Sequence, residues 1–185
     1  NALKDKGELK AAINSYKQAV KIKPDYADAY NNMGNALQDK GDLEAAIDSF
    51  KKALKIKPDS AETYYNLGNA RRDKGDLEDS IDSYKQALKI KPDHYGTHHN
   101  MGHSLYDKGD LEAAIKSHNQ ALKIKPDLQI SLGSKFHLQS LICDWAGLEQ
   151  DRDLVRLLGT KKEPIDTKNK PITPWALLAL EDSPG

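Results

Sequence analysis

A shift of 34 residues lays this sequence over itself: Pro24, Pro58, Pro92 and Pro126 fall into register, and so do Gly7, Gly41, Gly75 and Gly109. A fixed period of this length restricts the chain to stacked copies of one supersecondary unit, because a single unit has no second layer against which to bury its apolar face. Two segments punctuate each copy. Lys-Ile-Lys-Pro-Asp recurs at 21–25, 55–59, 89–93 and 123–127, and Asp-Lys-Gly-Asp/Glu-Leu recurs at 5–9, 39–43, 73–77 and 107–111.

The chemistry of these segments sets what lies between them. Gly41 and its equivalents suit the left-handed conformation that closes a helix, and Asp42 is placed to cap the next helix by accepting backbone N–H bonds. Pro58 cannot extend the helix before it, and Asp59 with Glu62 has the spacing of a capping box for the helix after it. Each copy therefore reads as helix A, turn, helix B, turn. The apolar spacing between turns is helical, with Tyr30, Met33, Gly34 and Leu37 on helix A and Leu43, Ala46, Ile47, Phe50, Ala53 and Leu54 on helix B. Gly34, Gly68 and Gly102 recur inside helix A, where glycine costs about 1 kcal/mol relative to alanine. That recurrence predicts a close approach of helix B.

Charged residues make up 30% of the chain, hydrophobic residues 38%, and there are two Phe and two Trp, so the apolar material is spread along an elongated body. Lys plus Arg equals Asp plus Glu at 28 each, which leaves no net field to draw in nucleic acid or an anionic membrane, and neither is expected as a partner. A single cysteine, Cys143, excludes an internal disulfide framework and a four-cysteine zinc site, and points to a reducing, cytoplasmic setting. No apolar run approaches 18 residues and no basic-then-apolar segment opens the sequence, so neither a membrane span nor a signal peptide is expected.

Counted from Ala27, the residues Tyr30, Met33, Gly34, Leu37, Ala46, Phe50, Ala53 and Pro58 fill eight positions that resemble the tetratricopeptide signature. The resemblance runs from Asn1 to about Asp127. It implies an all-α fold, a right-handed superhelical solenoid, with a partial repeat over 1–24, full repeats over 25–58, 59–92 and 93–126, a capping helix pair over 127–158, and a Pro/Lys linker with an apolar tail over 159–185. The third copy departs from the pattern at Arg71 and Ser80, and the fourth places His98 and His118 where aromatics usually pack; these are expected to be softer spots in the core.

In such a superhelix the A helices line the inner wall. The candidate peptide-binding groove is therefore Asn32, Asn35, Tyr65, Asn66, Asn69, His99, Asn100, His103 and Tyr106. Asn32, Asn66 and Asn100 share one A-helix position, and their amides offer the acceptor and donor that complement an extended peptide backbone. That ladder is similar to the asparagine ladder of the O-GlcNAc transferase superhelix. The alternative is that each asparagine bonds a neighbouring helix within the array. Grooves of this family that clamp a C-terminal carboxylate use cations where this chain has Asn31, Gly96 and Asn100, so such a clamp is not expected.

His99 and His103 stand one turn apart, as paired imidazoles do in zinc sites, with Asp107 continuing the face. No third ligand follows from the sequence, and packing or a polar groove wall is the simpler role; no metal or cofactor is assigned. Cys143 reads as a small apolar residue. No phosphate loop, Ser-His-Asp grouping or paired carboxylate stands out, so no catalytic residue is assigned and the chain is not read as an enzyme.

After Asp127 the period breaks, and residues 128–143 and 147–158 read as two amphipathic capping helices. Cys143-Asp144-Trp145, the charged and Pro-bearing stretch after it, and Pro174-Trp175-Ala176-Leu177-Leu178-Ala179-Leu180-Glu181-Asp182-Ser183-Pro184 resemble the junction joining repeats to catalytic lobes in bacterial, SPINDLY-like O-GlcNAc-transferase-like proteins. The plain alternative is a helix pair with a tail folded back on the repeats. Three functions follow as expectations: a scaffold binding a peptide or protein in the groove, the acceptor-recognition arm of such a glycosyltransferase, and a homo-oligomer docking through the open N-terminal repeat around Leu9, Ile13 and Tyr16.

Overall fold

The structure is a computed structural model that describes residues 2–144 and Gly147. Its described residues form eight helices: α1 (Ala2–Ile22), α2 (Ala27–Lys40), α3 (Leu43–Ile56), α4 (Ala61–Lys74), α5 (Leu77–Ile90), α6 (Tyr95–Lys108), α7 (Leu111–Ile124) and α8 (Gln129–Leu141). Each packs against the helix before and the helix after it. The A helices α2, α4 and α6 also touch one another in turn, whereas no two B helices make comparable contact. The array therefore curves as an all-α solenoid with its A helices on the inner, concave side.

The turns follow from the punctuating segments. Gly41, Gly75 and Gly109 hold φ of 88°, 91° and 91°, the left-handed closure that only glycine adopts without strain. Capping differs in detail from the sequence expectation. The start of α4 is capped by Ser60, whose hydroxyl accepts from the Thr63 N–H at 3.2 Å, and not by Asp59. Asp42 and Asp76 make no side-chain cap; their carboxylates turn to Lys40 and Lys74 instead, and Asp110 alone of the three caps its helix.

Gly7 is a second departure. No turn forms there: α1 is continuous from Ala2 to Ile22, and Gly7 lacks the positive φ of its equivalents. Glu8 stands where the other copies have aspartate, and the longer side chain is a poor N-cap. The first core cluster bears on the N-terminal face. The Leu9, Ile13 and Tyr16 face of α1, expected to be open for docking, packs on a cluster that includes Met33, Leu37, Ile47 and Phe50, and Ile13 is buried. The chain's own next repeat thus covers Ile13, while Leu9 and Tyr16 stay partly exposed.

The interior glycines carry the close approach anticipated for them. A β-carbon built on Gly34 would lie 2.5 Å from the Phe50 ring, one on Gly68 2.5 Å from Tyr84, and one on Gly102 2.7 Å from His118. Ring against bare backbone locks each helix pair. The third repeat's departures each find a polar partner: Arg71 donates to the Ser83 hydroxyl at 2.7 Å and the Asp79 carbonyl at 3.1 Å, while buried Ser80 meets the Ser104 hydroxyl at 3.0 Å. The helix α8 stacks on α7 and buries Leu132, Phe136 and Leu138. The second expected capping helix and the linker with its tail lie outside the described residues, as does the proposed catalytic junction apart from Cys143, Asp144 and Gly147.

Candidate functional site

The concave row is built by α2, α4 and α6, and its asparagines are partly spent on holding the repeats together. Asn66 donates to Asn31 Oδ1 at 3.2 Å. Asn100 uses its amide group twice, toward Asn69 Oδ1 at 2.8 Å and Tyr65 Oη at 3.1 Å. Asn69 Oδ1 also accepts from the Tyr84 hydroxyl at 2.7 Å, a phenol that burial holds in its protonated form. An amide has a fixed inventory of two donors and two acceptor sites. The Oδ1 atoms of Asn66 and Asn100, the amide hydrogens of Asn69 and the whole amide of exposed Asn32 have no bond among the described residues. Tyr65, Asn66, Asn69, His99, Asn100, His103 and Asn35 are half-buried, and Tyr106 is 39% exposed.

Toward α8 the row becomes a histidine cluster. The His99 and His103 Nε2 atoms stand 3.1 Å apart, and His99 Nδ1 bonds the buried Ser131 hydroxyl at 2.7 Å, tying α6 to α8. The His118 ring lies edge-on to both, at centroid distances of 5.4 Å and 5.2 Å. It is fully buried with neither ring nitrogen bonded. Burial pushes His118 down to about 3 and His99 to about 4, each helped by the neighbouring imidazoles, and burial with nearby Arg72 lowers His103 against an opposing pull from Asp107. The cluster is neutral at pH 7. Among the described residues no group of three or more His, Cys, Asp or Glu is arranged to hold a metal ion.

Family profiles match almost all of this array. The profile described as TPR repeat matches residues 1–41 and 34–71, and the one described as Tetratricopeptide repeat matches 59–127. The chain belongs to the tetratricopeptide-repeat family. No curated protein matches it in sequence. Solved structures share the tetratricopeptide fold at low identity. MamA is similar over 83% of this chain and 86% of its own, at 24% identity and a TM-score of 0.71. A MamA fragment, residues 41 to the end, from Desulfovibrio magneticus RS-1 covers 85% of this chain and 90% of its own, at 17% identity and a TM-score of 0.76. The first TPR of Spaghetti (RPAP3), solved bound to the HSP90 peptide SRMEEVD, covers 63% and 93%, at 16% identity and a TM-score of 0.62.

Three residues of this tetratricopeptide wall lie outside the candidate groove set read from the sequence. Asn31 shares its register with Tyr65 and His99, which was a usable signal, but its bond to Asn66 crosses 35 positions and depends on how the repeats stack. Ser131 lies past the last regular repeat, where no period guides the eye. His94 is the N-cap of α6, its Nδ1 accepting from the Thr97 N–H at 3.2 Å. Burial and nearby Lys91 lower its pKa, which keeps that acceptor unprotonated. Among the described residues no helix is long and apolar enough to cross a membrane.

Proposed function

We propose that the chain is a protein-interaction scaffold whose concave wall binds an extended segment of a partner polypeptide. The observation that carries this reading is the set of unused hydrogen-bonding atoms left once the inter-repeat bonds are made. Acceptors on Asn66 and Asn100, donors on Asn69 and both kinds on Asn32 recur along one face, which suits main-chain recognition with little demand on side-chain identity. Exposed Tyr106 adds an aromatic surface at the end of the row. A similarly folded array holds a peptide, although this chain has Asn31, Gly96 and Asn100 where a carboxylate clamp needs cations.

Selection from a displayed random-peptide library tests the reading. A peptide selected on the wild-type chain should bind the Asn32→Ala/Tyr106→Ala variant at least about tenfold more weakly, with circular dichroism showing the fold kept, since Asn32 has no bond among the described residues and Tyr106 gives up only an edge-on contact with His137 of α8. Selected peptides that bind wild type and variant alike would remove the groove assignment. The glycosyltransferase-arm reading gives the same groove an acceptor polypeptide and rests on the residue order of 143–184. Reading the gene past Gly185 for a following catalytic domain tests it directly.

A further inference from the structure

The chain has no net charge, yet its charges are segregated. The helices α2 to α7 are 14 residues long, so the two sets of turns lie on opposite edges of the solenoid about 21 Å apart. Every turn from a B helix to the next A helix carries two lysines around an isoleucine and one aspartate, while the turns at 39–44, 73–78 and 107–112 each carry three carboxylates and one lysine. On the basic edge Lys55, Lys57, Lys89 and Lys91 are exposed and make no ion pair among the described residues. Ile22, Ile56 and Ile90 between the lysines are exposed at 84%, 37% and 41%.

The acidic edge has a receiving shape. A cleft of about 360 Å³ opens between the first turns of α3 and α5 and the end of α4, with Ile47 in its wall and Glu44, Asp48, Asp76 and Asp79 around it. Two of its cations are already committed: Lys74 lies 3.1 Å from Asp76 and 3.9 Å from Glu44, and Arg71 lies 3.7 Å from Asp79. The third, Lys51, has no ion pair among the described residues. The glutamates of this edge reach outward, Glu44 and Glu78 being nearly four-fifths exposed.

We propose that copies of this chain associate side by side, the Lys-Ile-Lys turns of one copy seated against the acidic edge of the next. Charge complementarity alone would admit any acidic partner. What selects a second copy is pitch: both edges belong to one 34-residue repeat, so successive basic turns and successive acidic turns are spaced by the same structural step. A translated copy therefore matches several turns at once, and an exposed isoleucine of one turn can enter the cleft that Ile47 lines. The contact is heterologous, leaving one edge of each sign free at the ends, so growth does not close at a dimer.

Sedimentation of the full chain at low ionic strength should give a mass above 20.6 kDa that climbs with concentration. It should fall to the monomer value near 0.5 M salt, where the Debye length is only about 4 Å. The variant Lys55→Glu/Lys57→Glu/Lys89→Glu/Lys91→Glu makes the two central turns of the basic edge acidic, and Asp42→Lys/Glu44→Lys/Asp76→Lys/Glu78→Lys makes the first two turns of the acidic edge basic. Each alone should remain monomeric at low salt, and an equimolar mixture of the two should associate again, which a folding defect could not produce. A wild-type chain that stays monomeric at low salt, an association that survives either reversal, or a mixture that stays monomeric would overturn the proposal.

Discussion

Position 118 puts an imidazole where the two preceding repeats put Phe50 and Tyr84, in the same slot against a glycine of helix A. Phe50 is wholly apolar and Tyr84 sends its hydroxyl out to Asn69, but His118 has two buried nitrogens and no partner for either. A buried polar atom without a partner costs about 1–3 kcal/mol, whereas an apolar group of the same shape costs nothing of the kind. His118→Phe should accordingly stabilise the chain by about 1–2 kcal/mol, a rise of several degrees in Tm for a chain of this size. Thermal unfolding at pH 7 measures it, and an unchanged or lower Tm would mean that the slot is shaped for the smaller ring. By the same reasoning Asn100→Ala should cost stability, since it leaves Tyr65 and Asn69 without a bonding partner across the repeat boundary.

The helices owe their pairing to contacts that one methyl group tests. At Gly68 alanine gains about 1 kcal/mol of helix propensity, but its β-carbon falls 2.5 Å from the Tyr84 ring, and such overpacking costs typically 1–3 kcal/mol. Gly68→Ala should therefore be neutral to destabilising despite the better helix former. Gly7→Ala should stabilise by roughly 0.5–1 kcal/mol, because Gly7 sits inside α1 with nothing within 4 Å of an added β-carbon. Chemical denaturation of the two variants reads both effects, and a loss at Gly7 would mean that the chain turns there as its equivalents do. The helix pairs were legible in sequence because their determinants are local: a glycine, a proline and an apolar period. The continuity of α1 was not, since Gly7 stands in the same Asp-Lys-Gly setting as Gly41 and only Glu8 distinguishes them. Nor was the division of labour among the groove asparagines, which depends on bonds across about 31 to 35 residues that only the stacking defines.

Across the whole array each helix meets chiefly its sequence neighbours, so stability is a sum of local terms and one end can open while the other stays folded. Acid should expose this, because all six histidines lie between His94 and His137. In the folded chain His99 and His118 remain neutral down to about 4 and 3, while in the unfolded chain each takes up a proton below about 6.5. The unfolded state therefore binds more protons in between, and stability falls as pH drops from about 6.5 toward 4. His99 and His103 are half-buried, so solvent screening trims their share and fully buried His118 leads. Hydrogen exchange at pH 5 against pH 7, corrected for intrinsic rates, should show protection falling at least about tenfold in α6 to α8, equivalent to about 1.4 kcal/mol. The helices α2 to α5 contain no histidine and should lose little over the same interval. His118→Phe should blunt the acid-induced loss, since it removes the most deeply buried of the titrating rings. A loss spread evenly from α2 to α8 would instead show that the array opens as one cooperative unit, with the histidine cluster setting no boundary within it.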